Sequence, residues 1–391
     1  MILDEQTRMI QDLVRKFVDR ELVPLETHVL NNQLACDDGA QIPPDEYERL
    51  RKVSKDLGLW GLDAPVGLGG MGLSQVTMAC VFEEMGRTVV DFILPPDTPN
   101  LKMLDAVGTP EQKERYLRPY IEGRLNSRIA ISEPGAGGDP AGIRTRAERT
   151  ADGWLLNGRK IWITDAARVD FLIVMARVGN GQRQEGITAF IVDQGTPGFK
   201  IERAIPMVGD TLTYELVFDD MHLPENALLG EVGAGYAPMQ IRLNNKRLEM
   251  AASCIGMAGR ALEIMSAHAR ERVTFGERLA DRQAIQWWAA DIATRMHACR
   301  LMVRDAAARI DAGEDVRQET SMMKVFATEL AYDACDHAMQ TLGGMGMVKE
   351  SPLFHMWGRA RIMRIYEGPS EVHRQAIGRR VLLGQALTAR A

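Results

Sequence analysis

The segments with strand-forming character are confined to the middle of this chain, and this arrangement limits the folds that it can adopt. Apolar residues recur at helical spacing up to about residue 125 and again from about residue 238, whereas residues 126–235 carry short apolar and β-branched runs separated by glycine, asparagine and aspartate. An order of helices, strands and helices argues against an alternating βαβ sheet. We therefore expect three domains, at 1–125, 126–235 and 236–391, of which the last is a helical bundle.

The helical regions are marked by apolar periodicity and by proline at helix starts. From Leu243 through Met250 and Ala261 to His268, residues share one face of a single long helix. Pro110, which an acidic residue follows, is typical of a first helical turn. We expect one helix that ends at Pro24, one over 45–57 and one that starts at Pro110. Further along the chain we expect one that starts near 238, a pair between 281 and 342, and one over 370–387.

The middle region predicts several short strands that form a small barrel or sandwich. Asn157-Gly158 lies between two apolar runs and favours a two-residue hairpin turn, because both turn positions need a positive φ. Further strands are expected over 171–176, 188–192, 199–205 and 214–218.

Composition excludes several classes of protein. The net charge is −6, with −11 over residues 1–235 and +5 over residues 236–391, and this balance argues against a nucleic-acid partner. No apolar run reaches the roughly 18 residues that a membrane span needs. Asp4 and Glu5 precede any apolar stretch, so no secretory signal is predicted. The five cysteines form no CxxC pair, which is typical of a reducing compartment, and we expect a cytoplasmic protein.

Two familiar kinds of site are not predicted. Gly67–Gly72 satisfies the GxGxxG pattern of dinucleotide-binding loops, but a poor strand precedes it and no βαβ unit surrounds it. We expect a tight glycine turn between helices there. The seven histidines show no ligand spacing with cysteine or acidic residues, so no metal site is expected.

Three segments carry candidate binding residues, and each has a structural alternative. Ser132–Asp139 is rich in glycine and could bring main-chain N–H groups to a flat or anionic ligand, or it could be an ordinary loop. Arg242–Arg247 could hold phosphates, or it could be a solvated helix face. Gln340–Gly346, with three glycines, could simply end a helix and turn the chain.

A candidate general base lies near the C-terminal end of the chain. Glu367 stands between an aromatic residue and a glycine, with apolar residues upstream, which suits a carboxylate that accepts a proton. The alternative is a solvated loop acid ahead of a helix whose N-cap is Ser370.

Six segments also occur together in the order and approximate spacing of one protein family. They are ISEPGAGGD, KIWIT, LVFDDMHLPENALLG, RERVTFGERL, MQTLGGMG and RIYEGPSEVHR. With these segments the chain resembles the acyl-CoA dehydrogenase family over nearly its whole length. The resemblance implies an N-terminal helical domain, a middle β-barrel and a C-terminal four-helix bundle, assembled as a homotetramer or homodimer. It also implies FAD as the cofactor and an acyl-CoA thioester as the substrate.

The same resemblance implies roles for individual residues. Glu367 matches the catalytic base, which would remove an α-proton while flavin N5 takes the β-hydride and a trans-2-enoyl-CoA forms. Electrons would then pass to an electron-transferring flavoprotein. Residues that match cofactor contacts, some of them across a subunit interface, are Ile131, Ser132, Gly137, Trp162, Ile163, Thr164, Arg272, Thr274, Phe275, Gln283, Gln340, Gly343, Gly344, Pro369 and Glu371. Residues that match substrate or CoA contacts are Gly138, Asn244, Lys246, Arg247, Tyr366 and Gly368.

Several positions depart from the pattern of the family. Lys246 stands where some members carry the base, which leaves Glu367 as the candidate here. Gly138, Pro369 and Glu371 replace a serine, a threonine and a glutamine that are common in the family. Leu94–Pro99 contains three prolines where the family builds the wall of the acyl cavity, which suggests an unusual acyl group, branched or cyclic.

Two other functions are compatible with the same resemblance. One is an acyl-CoA oxidase that passes electrons to oxygen, because oxygen access depends on details of the cavity. The other is a non-catalytic subunit that binds flavin or acyl-CoA within a heteromeric complex. The presence of Glu367 and of most cofactor positions favours the dehydrogenase.

Overall fold

The computed structural model describes residues 3–36, 41–179, 186–209 and 212–384. Its helices are α1 (Glu5–Phe17), α2 (Glu26–Leu30), α3 (Pro44–Asp56), α4 (Gln75–Met85), α5 (Thr98–Val107), α6 (Pro110–Gln112), α7 (Arg118–Ile121), α8 (Tyr236–Glu271), α9 (Gln283–Asp311), α10 (Arg317–Leu342), α11 (Pro352–Met363) and α12 (Ser370–Leu382). Its strands are β1 (Ser127–Ala130), β2 (Arg146–Arg149), β3 (Gly153–Thr164), β4 (Phe171–Val178), β5 (Ile187–Asp193), β6 (Phe199–Pro206), β7 (Leu212–Pro224), β8 (Leu228–Leu229), β9 (Val273–Thr274) and β10 (Glu277–Arg278). Short 3₁₀ and π segments join several of these elements.

The described residues fall into two compact units. The helical unit comprises the described parts of Met1–Leu59, Leu73–Phe92 and Lys246–Ala391, and the sheet unit comprises those of Trp60–Gly72 and Ile93–Asn245. Helix α8 therefore starts in the sheet unit and continues in the helical unit. None of the described helices combines the length and the apolar character that a membrane span requires.

Most helices lie where apolar periodicity predicted them. The long helix α8 is confirmed, and Leu243, Met250 and Ala261 on its predicted face are buried. Helix α11 was not predicted from the sequence. Its start has a recognisable signal, because Ser351 caps the helix and Pro352 occupies the first turn. Residues 385–387 of the last predicted helix lie outside the described residues.

The helical unit is built around one apolar core. Helices α4, α8, α9, α10 and α11 contribute to it, and three of the five free cysteines are buried there as small apolar residues. Helices α4 and α8 approach closely at two glycines. A Cβ on Gly256 would lie 1.8 Å from the carbonyl oxygen of Glu83, and a Cβ on Gly86 would lie 2.2 Å from that of Ser253. The separation of these helices thus depends on the absence of two side chains.

The sheet unit contains a single mixed sheet with an apolar core on each of two sides. Its strand order is β6-β7-β3-β2-β4-β5-β8, and β1 pairs with β4 in parallel. One core cluster includes Phe171 and Met175, and the other includes Leu172 and Val174. Alternate residues of β4 thus face opposite sides. Among the described residues no ladder joins β6 to β8, so the sheet is open and closure into a barrel is not confirmed.

The predicted hairpin at Asn157-Gly158 is wrong. Strand β3 continues through both residues, and its register with β7 shifts between Leu156 and Gly158, which marks a bulge. The side chain of Asn157 exchanges two hydrogen bonds with Asp220 on β7, at 2.7 and 3.1 Å. A Cβ on Gly158 would lie 2.6 Å from the Cα of Thr145. The dipeptide therefore serves a close approach between chain segments instead of a turn.

The glycine-rich segment 67–72 forms a turn, as predicted. A short 3₁₀ segment, Val66–Leu68, precedes Gly69, which has a φ of 87°. No strand lies before it among the described residues, so the segment lacks the context of a dinucleotide-binding loop. Helix α4 follows at Gln75.

Substitution of Gly256 tests the packing of α4 on α8. We expect Gly256→Ala to lower the free energy of unfolding by about 1–3 kcal/mol, because the added methyl group collides with a main-chain oxygen. Gly378→Ala in α12 is the matched control, since an added Cβ meets nothing within 4 Å there. Alanine is the better helix former, so this control should leave the melting temperature unchanged or raise it. Equal effects of both variants in thermal unfolding would contradict the close approach.

Candidate active site

A buried ion pair holds the glycine loop, which we define as residues 131–138. The Nζ atom of Lys160 donates to Oε1 of Glu133 at 2.8 Å and to the carbonyl oxygen of Ile131 at 2.9 Å. The Glu133 carboxylate also accepts from the main-chain N–H groups of Arg144 at 2.6 Å and Thr145 at 2.9 Å. The first part of the loop, from Ile131 to Glu133, is therefore fixed to the sheet unit from inside.

The ion pair is almost completely shielded from water. Lys160 is 0% exposed and Glu133 is 7% exposed. Burial lowers the pKa of Lys160 to about 8, although Glu133 opposes this shift. Burial alone would raise the pKa of Glu133, but the Lys160 ammonium and the N–H donors hold it below its usual value. Each charge thus depends on the other and on the main chain of the loop.

The glycine loop presents main chain with little side-chain cover. Main-chain hydrogen bonds in both directions between Glu133 and Ala136, each 3.0 Å, make a tight turn. Gly137 and Gly138 are exposed, and a Cβ on Gly135 or Gly137 would meet nothing within 4 Å. The loop can therefore bring its main-chain N–H groups to a flat or anionic ligand, as the sequence predicted.

The end of strand β3 presents two of its three candidate residues to solvent. The register with β7 shifts between Lys160 and Ile163, and Trp162 within this bulge has a φ of 62° and is 49% exposed. Thr164 is also exposed, whereas Ile163 is 4% exposed and packs in the sheet core. Ile163 can thus reach a ligand only through its main chain. A bulge that re-aims a side chain is common beside binding sites.

Seven further cofactor candidates lie on the helical unit. Phe275, at the tip of the β9–β10 hairpin, is 99% exposed and has a φ of 50°. Helix α10 ends at Leu342, and Gly343 follows with a φ of 61°, so the predicted helix end is confirmed. All members of this group are exposed except Thr274, which is partly buried. The group consists of Arg272, Thr274, Phe275, Gln283, Gln340, Gly343 and Gly344.

Glu367 lies in the base loop, which we define as residues 365–369, between α11 and α12. The residue is half-buried, and its Oε2 atom is inaccessible to solvent. Its φ of 55° is unusual for a residue other than glycine. The Nε atom of Arg247 donates to the Glu367 carbonyl oxygen at 3.0 Å. The structure thus places two predicted site residues, Glu367 and Arg247, in contact.

The predicted N-cap at Ser370 is wrong. Helix α12 starts at Ser370 itself, and Pro369 occupies the N-cap position with an extended ψ of 151°. Ser370 is 1% exposed, and its hydroxyl makes no cap hydrogen bond. Proline fits the position because its fixed φ suits the turn into a helix. Glu371, in the first turn of α12, is exposed.

The predicted phosphate-binding residues on α8 are not a solvated face. Asn244, Lys246 and Arg247 are all half-buried. Lys246 forms an ion pair with Glu249 one turn later. Arg242, on the same helix, is 9% exposed and donates to Asn100 at 3.3 Å. Of the remaining substrate candidates, Tyr366 is 38% exposed and Gly368 is half-buried.

Two residues beside the base loop were missed from the sequence. The Nζ atom of Lys324 on α10 donates to the carbonyl oxygen of Gly368 at 2.6 Å. The Nε2 atom of His373 on α12 lies 3.1 Å from the carbonyl oxygen of Glu367. Lys324 had a signal, since it interrupts an apolar run of α10. His373 had none, because it stands among mixed polar and apolar residues that set no pattern. The described residues contain no cluster of histidine, cysteine or acidic side chains that could hold a metal ion.

Comparisons with known proteins agree with these features. Family models for acyl-CoA dehydrogenases match the N-terminal domain over residues 4–124, the middle domain over 128–221 and the C-terminal domain over 233–382. The chain is 36% identical to (R)-benzylsuccinyl-CoA dehydrogenase of Thauera aromatica, over 97% of this chain and 96% of that protein. It is 34% identical to subunit CarC of the caffeyl-CoA reductase-Etf complex of Acetobacterium woodii, over 96% of this chain and 98% of that protein. The butyryl-CoA dehydrogenase structure from Megasphaera elsdenii has a TM-score of 0.88 at 29% identity, over 98% and 99% of the two chains.

Removal of one partner tests the ion pair under the glycine loop. We expect Lys160→Met to lower the free energy of unfolding by about 3–5 kcal/mol, because it leaves the Glu133 carboxylate buried without a counter-charge. The double variant Lys160→Met/Glu133→Gln should recover part of this loss. Arg159→Met is the matched control, because the neighbouring Arg159 side chain is 54% exposed. A double variant in urea denaturation that is no more stable than Lys160→Met would contradict the coupling.

Proposed function

Because this chain belongs to the acyl-CoA dehydrogenase family, whose members are oxidoreductases that act on CH–CH groups of acyl-CoA, we propose a specific reaction. The reaction is the FAD-dependent α,β-dehydrogenation of an acyl-CoA thioester to the trans-2-enoyl-CoA, with Glu367 as the base. The observation that carries this proposal is a half-buried carboxylate on a loop whose main-chain carbonyl is held by Arg247.

FAD is the cofactor of the family, and the residues present fit a flavin. The glycine loop is open where an added Cβ at Gly135 or Gly137 would meet nothing. Trp162 and Thr164 project to solvent from the end of β3 and offer an aromatic face and a hydroxyl donor. We infer that the glycine loop and these two side chains hold the flavin ring. FAD, when bound, supplies the acceptor for the β-hydride.

Glu367 performs the proton transfer in this proposal. The α-hydrogen of a thioester is weakly acidic, so the base has to be positioned and the developing enolate oxygen needs hydrogen-bond donors. In the family one of these donors is the main-chain N–H of the base itself. In this chain the carbonyls of Glu367 and Gly368 are fixed by side chains from α8 and α10, which orients the main chain of the base loop. Both the carboxylate and the peptide group of Glu367 would then face the substrate.

Two polar residues on α8, one of them a basic lysine, suit the CoA portion of the substrate. Asn244 and Lys246 are half-buried within one turn of each other. The half of the chain that carries α8 to α12 has a net charge of +5, which favours a polyanionic ligand. We infer that Lys246 and Asn244 contact CoA. Arg247 has a different role, since its Nε atom binds the base loop.

The acyl group is proposed to carry a ring. The run Leu94–Pro99 contains three prolines and extends into the first turn of α5, at the segment that forms the acyl wall in the family. The names of the two relatives described above, benzylsuccinyl-CoA dehydrogenase and caffeyl-CoA reductase, each describe an aromatic acyl group. A proline-rich wall has few conformations and can keep a wide cavity open without loss of chain entropy.

Electron-transferring flavoprotein is the proposed acceptor. The relative from Acetobacterium woodii is a subunit of a complex with such a flavoprotein. We also propose a homotetramer or homodimer in which exposed residues of the helical unit, Phe275 among them, contact a second copy. We further propose that the protein is located in the cytoplasm and that it has three domains, at 1–125, 126–235 and 236–391.

Reduction of an enoyl-CoA is a second candidate function. The same relative is named as a reductase, at 34% identity over nearly the whole chain. The residues required are the same, because Glu367 would return a proton to the α-carbon in the reverse direction. The direction depends on the reduction potential of the physiological electron partner.

Replacement of the base tests the reaction. We expect Glu367→Gln to lower kcat by about 100- to 10 000-fold, because an amide cannot accept the α-proton. The flavin content and absorption spectrum should stay unchanged. Glu350→Gln, in an exposed turn of the same unit, is the control and should retain full activity. Turnover by Glu367→Gln at the wild-type rate would refute the catalytic assignment.

A thioester panel tests the acyl group and the acceptor. We expect anaerobic bleaching of the flavin to proceed at least about tenfold faster with phenyl- or cyclohexyl-substituted acyl-CoA than with butyryl- or octanoyl-CoA, a difference of ~1.4 kcal/mol. Equal bleaching rates with ring-bearing and straight-chain thioesters would contradict the proposal that the acyl group carries a ring. Reduced flavin should persist in air, whereas rapid reoxidation would favour an oxidase. Freshly purified protein without flavin would favour the partner-subunit function.

A further inference from the structure

The main chain of the base loop has a conformation that side chains disfavour. Glu367 has a φ of 55° and Gly368 a φ of 96°. A residue other than glycine in the left-handed region is strained and persists only where its surroundings fix it. The loop therefore needs external support to keep the Glu367 carboxylate in one direction.

Three helices of the helical unit each contribute one side chain to this support. Arg247 on α8 donates from Nε to the Glu367 carbonyl oxygen at 3.0 Å. The Nε2 atom of His373 on α12 lies 3.1 Å from the same oxygen. This oxygen therefore has two partners, the guanidinium group of Arg247 and the imidazole ring of His373. Lys324 on α10 donates to the next carbonyl oxygen, that of Gly368, at 2.6 Å. Two consecutive carbonyl groups are thus fixed from three directions.

The support is buried. Lys324 is 0% exposed and His373 is 3% exposed. Burial lowers the pKa of Lys324 to about 8. A lysine ammonium in such surroundings loses several kcal/mol of hydration unless polar groups replace the water. The Gly368 carbonyl is one of those groups, so the lysine and the loop stabilise each other.

The protonation of His373 follows from its two contacts. A carbonyl oxygen can only accept, so the proton is on Nε2. Burial and the nearby Arg247 charge lower the pKa of His373 to about 4, so the ring is neutral near pH 7 and Nδ1 is an acceptor. The hydroxyl of Ser321 lies 3.1 Å from Nδ1 and also donates to the carbonyl oxygen of Arg317 at 2.8 Å. The Glu367 carbonyl thus selects the tautomer, and Ser321 on α10 contacts the opposite edge of the ring.

The ring also occupies the space that a side chain at position 368 would need. A Cβ on Gly368 would lie 2.7 Å from Nε2 of His373. The contact therefore requires glycine next to the base. Histidine and glycine together form a fitted pair that a change at either position would disturb.

We propose that His373, oriented by Ser321 and assisted by Lys324, is a positioning residue that fixes the direction of the Glu367 carboxylate. This inference rests on the proposed role of Glu367 as the base. The residue touches neither the substrate nor the reacting atoms, and it acts through the carbonyl oxygen of Glu367. Its loss should therefore slow proton transfer and leave thioester binding largely intact.

The test compares two substitutions of His373 in the full-length holoenzyme. His373→Leu removes the donor, and we expect kcat per bound flavin to fall about 30- to 100-fold with KM changed less than about threefold, as displacements near 1 Å can cost 100-fold. His373→Gln keeps an N–H donor of similar reach and should recover at least about a tenth of wild-type kcat. Equal kcat values for the two variants would overturn the proposal.

A second measurement does not depend on activity. Amide hydrogen exchange of residues 365–368 should be faster in His373→Leu than in wild-type protein, while the exchange of α9 stays unchanged. His355→Leu is the matched control, because His355 is 1% exposed in α11 of the same unit. This control should lower the melting temperature without the fall in kcat. Unchanged exchange in the base loop of His373→Leu would also overturn the proposal.

Ser321→Ala decides the matter if His373→Leu does not fold. Without the hydroxyl the ring loses its contact at Nδ1 and is held less firmly against the Glu367 carbonyl. We expect kcat to fall about three- to tenfold, with KM unchanged, since the ring loses one of its two polar contacts. Wild-type kcat in Ser321→Ala would overturn the proposed orientation of the ring.

The outcome for Glu367→Gln separates this proposal from the proposed function. An active Glu367→Gln variant would refute the role of the base, whatever the His373 variants do. An inactive Glu367→Gln variant together with fully active His373→Leu would refute the positioning role and leave the function intact.

Discussion

Two buried lysines connect the interior of each unit to a loop that carries candidate site residues. Lys160 in the sheet unit is 0% exposed and binds a carbonyl of the glycine loop together with Glu133. Lys324 in the helical unit is also 0% exposed and binds a carbonyl of the base loop. An ammonium group inside a protein must replace its hydration with fixed acceptors. Because loop carbonyls are among those acceptors, the loops cannot move without exposing a charge to an apolar core.

This constraint explains how irregular segments can carry functional groups without loss of precision. Loops have few main-chain hydrogen bonds of their own, and binding residues placed on them need a rigid scaffold. Here the scaffold reaches the loops through long side chains, from β3 to Glu133 and from α8, α10 and α12 to Glu367 and Gly368. The close approach of α4 and α8 at Gly256 gives α8 a fixed place in the helical core.

Local sequence patterns predicted regular elements well and predicted irregular ones poorly. Helix α8 and strand β4 followed from apolar periodicity, because burial of one face or of a whole strand leaves a repeated signal. The Asn157-Gly158 dipeptide misled the prediction, since it satisfies a hairpin turn as well as a bulge that packs against Thr145. The assignment of Ser370 as the N-cap failed because Pro369 already provides the turn into α12. At Asn157-Gly158 a segment distant in sequence decided between two locally acceptable structures, whereas at Ser370 the adjacent proline decided.

Apolar periodicity and motifs that are contiguous in the chain were enough to predict the order of helices and strands, the family and the candidate base Glu367. The tertiary structure alone decided which groups support those motifs. Arg247, Lys324 and His373 are separated by dozens of residues, yet they meet at two consecutive carbonyl groups. No periodicity records such a meeting, since it depends on how three helices pack around one loop. The physical reason is that burial and hydrogen bonding act through space, whereas sequence patterns record only what lies along one element.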